Sequence, residues 1–326
     1  MNEQLSAHLE TWRPMVSLNA GITSVAGAAV AQHGLHSAGR TAVIFLATVS
    51  GYLASLYGTD FKDRAEDART RPHRPIPSGR LSEDNAVIIM SLCMGAGLLG
   101  ASWLGFQAVL VSCIALVIAV IRATTKGWGL IAPVTRSLAT GVNLLFGAVA
   151  AVPGGTLTGL RSAAWITAAL FVVETFPKSL LGGLWDVEAD RATGVRTCWV
   201  RYGYQPMRRL VLAGLAASMV FSVALPAVVS VRAAPYYLLL VPFLVCTALG
   251  GRDLRPERDT RAGLSALIWL FRERALLVGA IVAGTAGLPI ALAVSVPVIV
   301  VGEWHRRVLM APRMYRLDPD MVADGG

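Results

Sequence analysis

Long apolar windows separated by short polar segments constrain this chain more than any other feature. A helix of roughly 20 residues crosses a bilayer core of about 30 Å. Nine windows reach that length: 15–32, 40–58, 84–103, 105–121, 130–152, 161–183, 210–230, 233–251 and 275–302. Only 15% of the 326 residues are charged, whereas a soluble domain has about a quarter. The sequence therefore predicts an integral membrane protein.

The apolar windows are continuous and do not alternate with polar residues, which favours helices over the strands of a membrane barrel. We expect an all-α fold, a polytopic membrane helical bundle in which residues 1–326 form one domain. The N-terminal stretch "MNEQLSAHLETWRPM" lacks the apolar segment of a cleavable signal peptide. The four cysteines have no CxxC spacing and the five histidines no metal-ligand spacing. Neither disulfides nor a zinc or haem site is therefore expected.

Basic residues are distributed unevenly among the loops. Four long loops hold most of the 29 lysines and arginines, namely six in 59–83, three in 122–136, five in 184–209 and six in 252–274. The alternate loops hold only Arg40, Arg161 and Arg232. The positive-inside rule then places the four long loops in the cytoplasm, as expected of a multi-pass protein of the plasma membrane. The net charge of +9 fits this topology and contact with anionic membrane lipids or a phosphorylated substrate, and nucleic-acid binding is not expected.

The C-terminal tail conflicts with a count of nine spans. Nine spans place the C-terminus outside, yet the tail carries Arg306, Arg307, Arg313 and Arg316. Either the rule is violated locally or one helix is missing from the count.

Two charged segments repeat along the chain. "TDFKDRAED" follows the second window and "WDVEAD" follows the sixth. Asp63 and Asp186 are 123 residues apart, as are Asp67 and Asp190. We predict two four-helix pseudo-repeats, about 12–121 and 129–251, and a ninth helix at about 275–302. Repeats of this kind place a site at the interface between the halves.

The spacing of these aspartates indicates metal and phosphate chemistry. Residues four apart project from one face of a helix, so each segment presents two or three carboxylates together. Carboxylate oxygens in this number suit Mg²⁺, which proteins commonly bind together with substrate phosphates. Nearby basic side chains can neutralise the remaining phosphate charge: Arg64, Arg69, Arg71, Arg74, Arg80, Lys126, Arg191 and Arg196. Because a soluble phosphate enzyme needs no apolar helices, we expect the diphosphate to carry a hydrocarbon chain.

At these residues the chain resembles the UbiA superfamily of intramembrane prenyltransferases. "DFKDRAEDARTRPHRPIPSGRLS" is similar to the first aspartate-rich signature of that superfamily, NDxxDxxxD, and "DVEADRATGVRT" to the second, DxxxD. The resemblance extends to "WRPMVSLNA" and "TRSLATGVNLLFGA", and so covers nearly the whole chain.

The resemblance implies a nine-helix bundle whose cavity opens to lipid. It implies Mg²⁺-dependent transfer of a prenyl group from an isoprenyl diphosphate of C10 to C20 to an aromatic or other small lipophilic acceptor. The implied metal ligands, or neighbours of ligands, are Asp60, Asp63, Asp67, Asp186 and Asp190. Arg74 and Lys126 would contact the diphosphate, and the expected catalytic residues are Asp63, Asp67, Asp186, Asp190 and Lys126.

Further substrate contacts are expected on the same loops and on the fifth and sixth helices. The candidates are Thr59, Arg64, Arg74, Lys126, Arg136, Asn143, Lys178, Trp185 and Arg191. Thr59 replaces the asparagine of the first signature and keeps only a hydroxyl. In "GGLWD", the two glycines and Trp185 replace charged residues of related sequences, which opens space and adds an aromatic face that stabilises a nearby cation.

Three alternatives remain open at the level of sequence. Some members of the superfamily are terpene cyclases, which ionise a prenyl diphosphate and need no acceptor. A transporter would also use repeats and buried charge, but it would not need two DxxxD faces surrounded by arginines. Finally, Glu174 and Lys178 lie four apart and are either a simple ion pair or a functional site at membrane depth.

Overall fold

A computed structural model describes residues 3–125, 127–255, 257 and 260–310 of the chain, without the side chains of 185, 189, 260–262, 264, 309 and 310. The described residues form α1 Glu3–Trp12, α2 Pro14–Gln32, α3 Ala38–Thr70, α4 Glu83–Leu104, α5 Phe106–Thr124, α6 Ile131–Ala151, α7 Ser162–Leu181, α8 Val187–Ala192, α9 Cys198–Tyr202, α10 Tyr204–Ala224, α11 Ala233–Asp253, α12 Thr260–Ala286 and α13 Leu288–His305. Short 3₁₀ turns at Gly182–Asp186 and Leu225–Ala227 and a π turn at Arg306–Met310 complete the order.

The architecture is an all-α membrane bundle. Nine of the described helices are long and apolar enough to cross a membrane: α2 to α7, α10, α11 and α13. Strand pairing in the described part of the chain is limited to one isolated bridge between Gly129 and Thr197. The predicted fold class is confirmed.

The last predicted window, 275–302, is wrong in its bounds because it covers two helices. α12 ends at Ala286 and α13 begins at Leu288, and Gly287 between them has a φ of 105° that glycine adopts without a side-chain clash. The two helices are antiparallel, since Gly279 packs against Ser295 and Arg272 pairs with Glu303 at 2.7 Å.

α12 is therefore a tenth long helix, and its charged centre explains why the hydropathy pattern hides it. Arg272, Glu273 and Arg274 interrupt its apolar sequence, although the helix has 27 residues. α13 returns the chain to α1, where His305 Nε2 donates to the Leu9 carbonyl at 3.1 Å. If α12 crosses the membrane, the basic residues at 306 and 307 lie on the same side as the four basic loops, as the positive-inside rule requires.

Contacts between loops define two ends of the bundle. Arg13 contacts Asp60, and Arg71 joins Asp67 to Asp186. These residues, with the loops 71–82 and 182–203, form what we call the aspartate end. The opposite end, called the far end, contains residues 33–40, 104–106, 152–162, 225–233 and 284–290.

α3 carries the first motif beyond the apolar core. At about 1.5 Å per residue, its 33 residues extend about 50 Å, whereas a bilayer core is about 30 Å thick. Its last turns therefore project into the aspartate end. α4 restarts the chain with Ser82, whose side chain accepts a hydrogen bond from the Asn85 amide, a favourable N-cap.

The core is built around α2, whose spanning window is 83% buried. Small residues permit this position: Gly27 lies against the Leu144 carbonyl, and Gly147 lies against the Ser24 carbonyl. A side chain at either glycine would meet backbone atoms. α2 and α6 consequently pack backbone to backbone, as small residues allow in membrane helices.

We predict that the aspartate end faces the cytoplasm. In a background without the four native cysteines, Thr70→Cys, Thr193→Cys and Arg307→Cys should react with impermeant thiol reagents only from the cytoplasmic side, because the basic loops are retained there. Thr158→Cys, at the far end, is the matched control and should react only from outside intact cells. Outside labelling at 307 together with inside labelling at 70 would contradict the passage of α12 across the membrane.

Candidate active site at the aspartate end

The first motif lies on the last turns of α3. Asp60 and Asp67 are 7% and 3% exposed to solvent, and Asp63 between them is half-buried. Carboxylates buried to this extent need cationic or hydrogen-bonding partners. The partners come from the α1–α2 junction and from the loop that follows α3.

Arg13, which is not among the residues predicted from the sequence, is the partner of Asp60. Its Nη2 lies 2.7 Å from Asp60 Oδ1. Arg13 has a φ of 44°, an uncommon left-handed conformation for an arginine that marks local strain. The available signal was an arginine directly before Pro14, because proline at the first helical position marks a helix start.

α1 is fixed beside this contact by the buried Tyr57, one turn before Asp60. The Tyr57 hydroxyl accepts a hydrogen bond from Trp12 Nε1 at 2.8 Å and lies 2.8 Å from His8 Nδ1. Glu10 of α1 accepts two hydrogen bonds from Arg80, at 2.9 and 2.8 Å. α1 therefore joins α3 and the 71–82 loop above the aspartates.

Arg71 brings the two motifs into one site. Its guanidinium contacts Asp67, with Nη1 3.7 Å from Oδ1, and forms an ion pair with Asp186 from the second motif. Arg74 also binds Asp67, with Nη1 2.7 Å from Oδ2. Burial disfavours the charge on Arg74, but Asp67, Asp60 and Asp186 outweigh it and raise the arginine pKa above its ordinary value. The predicted convergence of the two segments is present in the structure.

The second motif is not one regular helix. Gly182–Asp186 is a 3₁₀ turn and α8 begins at Val187, so Asp186 and Asp190 have different surroundings. The Asp186 side chain is 30% exposed and meets Arg71. Asp190 is 1% exposed and accepts a hydrogen bond from Thr197 Oγ1 at 2.9 Å. Asp190 is thus tied to the 193–203 loop.

Two predicted arginines are directed away from the aspartates. Arg64 pairs with Glu83 at 2.9 Å and stacks on Phe61, with the guanidinium carbon 4.2 Å from the ring centroid. Arg191 is exposed and lies 3.7 Å from Glu188. Both arginines form ion pairs at the protein surface in this structure.

Arg136, one of the predicted substrate contacts, lies beside the second motif. It forms no ion pair with a described residue. Its Nη1 would be 3.4 Å from a Cβ placed on Gly182. Arg122, Arg13 and Asp186 are close enough to act on it electrostatically, but no described carboxylate is within ion-pairing distance. An anion beside the 3₁₀ turn would therefore meet an available guanidinium.

The remaining candidates have separate locations. Thr59 accepts a hydrogen bond from Arg122 at 3.3 Å and donates to the Ser55 carbonyl at 2.7 Å. Asn143 is half-buried within α6. Lys126 and the side chain of Trp185 lie outside the described residues.

Lys178 is part of a buried charge cluster between α7 and α12. It forms an ion pair with Glu174 and lies 3.2 Å from Glu273. Arg274 binds the same Glu174 at 2.6 Å. Lys178 is 6% exposed, so the pairing interpretation accounts for this residue and contact with substrate is not needed to explain it.

The donor chemistry at the aspartate end fits a hard divalent cation. No group of three carboxylate, histidine or cysteine side chains among the described residues has the geometry of a metal site. Asp67 and Asp186 nevertheless contact the same guanidinium, so oxygen atoms from both motifs reach one positive charge. Aspartate oxygens are the ligands that Mg²⁺ prefers.

Known proteins resemble this chain in sequence. Over 231 residues it is 30% identical to the digeranylgeranylglyceryl phosphate synthase of Methanothrix thermoacetophila, covering 69% of this chain and 82% of that protein. The synthase of the same name from Natronomonas pharaonis is 29% identical over 243 residues, covering 74% and 85% of the two chains.

Solved structures share the fold. A structure described as digeranylgeranylglyceryl phosphate synthase has a TM-score of 0.64 at 18% identity and covers 87% of this chain and 99% of its own. A UbiA homologue from Archaeoglobus fulgidus, bound to GPP and Mg²⁺, has a TM-score of 0.61 at 13% identity and covers 83% and 99%.

The sequence model of the UbiA prenyltransferase family matches residues 20–271, most of the span from α2 to the middle of α12. With two aspartate segments joined in one site at the end of a membrane bundle, this chain belongs to the UbiA prenyltransferase family.

Proposed function

We propose that this prenyltransferase uses both aspartate segments to ionise an isoprenyl diphosphate and transfers the prenyl group to a lipophilic acceptor. The contact of Arg71 with both Asp67 and Asp186 is the observation that supports this most directly. The positively charged guanidinium of Arg71 joins the two motifs there. A metal-bound diphosphate would need the same approach of carboxylates from both motifs. The membrane bundle below it suits a hydrocarbon chain of C10 to C20.

The proposed metal is Mg²⁺, held by Asp60, Asp63, Asp67, Asp186 and Asp190. When bound, the metal supplies charge stabilisation for the departing diphosphate. The arginines now bonded to the carboxylates would turn to phosphate oxygens, since guanidinium groups bind both anions in the same two-pronged geometry. Arg74 and Arg136 are the arginines proposed to bind diphosphate, together with Lys126.

In the proposed reaction the allylic C1–O bond breaks and its electron pair leaves with the diphosphate. The acceptor oxygen or aromatic carbon then forms the bond to C1, and the proton that it loses passes to the released diphosphate or to solvent. The residues of this chain contribute positioning and electrostatic stabilisation. The helices below the aspartates shield the allylic carbocation at C1 from water.

The acceptor that we test first is a glyceryl phosphate lipid. The two relatives named above bear the name digeranylgeranylglyceryl phosphate synthase, and that name supports a glyceryl phosphate acceptor. Phenolic acceptors are the second class. We place the reaction at the cytoplasmic face of the plasma membrane, following the distribution of basic residues.

The first prediction concerns the metal ligands. Asp63→Asn or Asp190→Asn should leave the protein folded but lower turnover by about 10²-fold or more, the loss typical of a preorganised electrostatic group. Pyrophosphate release from geranylgeranyl diphosphate in detergent measures the effect. Glu188→Gln, an exposed acid on the same short helix as Asp190, is the matched control and should retain wild-type turnover. Wild-type rates in either aspartate variant would reject the ligand assignment.

Metal removal gives a second prediction. EDTA should abolish pyrophosphate release, because the aspartate carboxylates and the diphosphate repel each other without the metal. Added Mg²⁺ should restore the release. Elution volume on size-exclusion chromatography should not change. Full activity in EDTA would show that ionisation does not depend on a divalent metal.

A third prediction separates transfer from cyclisation. The wild type should give a prenylated product only when a glyceryl phosphate lipid or a phenol is present, and Trp185→Leu should give the same product more slowly. In a cyclase, removal of the aromatic ring takes away about 2 kcal/mol of stabilisation of a desolvated cation. Its products would then shift toward alcohols and acyclic alkenes. A hydrocarbon product without any acceptor would reject the transferase proposal.

A further inference from the structure

The far end contains a basic hollow that prenyl transfer does not use. It has a volume of about 550 Å³ and is lined by His33, Ser230, Val231, Arg232, Gly284 and Thr285. This volume lies within the range of small-molecule sites, about 300–1,000 Å³. The hollow is located where α2 and α12 end and α11 begins, at the opposite side of the bundle from the aspartates.

The far end has no acidic residue to balance its arginines. The five segments that form it, residues 33–40, 104–106, 152–162, 225–233 and 284–290, contain no aspartate or glutamate. Arg40 is occupied there, because Nε donates to the Ala150 carbonyl at 2.5 Å and Nη2 to the Leu104 carbonyl at 2.8 Å. It caps the C-terminal ends of α6 and α4 and has a structural role.

Arg232 is bound much more weakly than Arg40. Its guanidinium makes one long hydrogen bond among the described residues, from Nε to the Gly284 carbonyl at 3.4 Å. Its Nη atoms make no hydrogen bond among the described residues. Arg232 is exposed and lines the hollow, and because an arginine keeps its proton it can offer these groups to an anion.

His33 adds a second donor. Arg161 Nη1 lies 3.0 Å from His33 Nε2. Because a guanidinium has no acceptor atom, Nε2 must accept this hydrogen bond, and the ring proton is then on Nδ1. This leaves Nδ1–H as the free donor of the His33 ring, which lines the hollow, and Arg161 adds a second positive charge next to the ring.

The N-terminal ends of two helices at the far end also favour an anion. Arg232 and Arg161 directly precede α11 and α7, and neither helix start has a side-chain cap. The amide groups of a first turn attract anions. Clustered basic side chains at a membrane surface attract the phosphate groups of anionic lipids.

We propose that this hollow binds the phosphate group of an anionic membrane lipid in the leaflet at the far end. The binding residues are His33 and Arg232, and Arg161 supports His33. The two Nη groups of Arg232 and Nδ1–H of His33 donate to the phosphate oxygens. The acyl chains lie along the exposed apolar surface of the neighbouring helices. The site is independent of the prenyl donor at the aspartate end.

The test follows a thiol placed in the hollow. Ser230→Cys, in a background with the native cysteines replaced by serine, is modified by a maleimide in phosphatidylcholine nanodiscs with or without phosphatidic acid. Phosphatidic acid should slow the modification about fivefold or more. Adding Arg232→Gln should remove most of this protection, because one arginine near a lipid surface contributes roughly a fivefold change in binding.

Three controls distinguish the possible outcomes. Arg252→Gln removes an exposed arginine at the aspartate end and should leave the protection unchanged, as should Asp190→Asn, which separates this proposal from the proposed reaction. Protection by inorganic phosphate alone would assign free phosphate and overturn the lipid assignment. An equal modification rate with and without phosphatidic acid would overturn the site. Full protection after Arg232→Gln, in a variant with unchanged elution and helix content, would also overturn it.

Discussion

Repulsion between carboxylates is the constraint on which the aspartate end depends. Two like charges about 4 Å apart repel by about 4 kcal/mol at an effective dielectric constant of about 20, and five aspartates share this end. The structure places arginines on three of these aspartates: Arg13 on Asp60, Arg74 on Asp67, and Arg71 between Asp67 and Asp186. The N-terminal helix, the 71–82 loop and the 3₁₀ turn are arranged around these contacts.

A second group of charges stabilises the bundle by a different route. Arg272, Glu273 and Arg274 are consecutive on α12, yet they turn to different neighbours. Arg272 binds Glu303 of α13, Glu273 lies beside Lys178, and Arg274 binds Glu174. Three helices are thus joined by charges within the bundle. Removing one member of a buried ion pair commonly costs roughly 3–5 kcal/mol, so Glu174, Lys178 and Arg274 fix how α12 packs against the helix that leads to the second motif.

Sequence alone predicts the elements that depend on local pattern. Apolar windows identify nine membrane helices, and the matching separation of Asp63 from Asp186 predicts that the two segments meet. The same reasoning misses α12, since the partners that make its charges tolerable come from α7 and α13 and are not visible in a hydropathy window. It also misses Arg13, whose role depends on a left-handed backbone conformation, and it does not foresee that Arg64 pairs with Glu83, 19 residues later. In each case a tertiary partner decides the outcome.

The contact between His305 and Leu9 joins residues 296 positions apart, and this has a consequence for biosynthesis. α1 leaves the ribosome before α13 does, so His305, which makes this contact, is synthesised later. Until α13 has entered the bilayer, α1 lacks one of its anchors over the aspartates. The order of synthesis therefore delays this part of the docking of α1 at the aspartate end until α13 has been made and inserted.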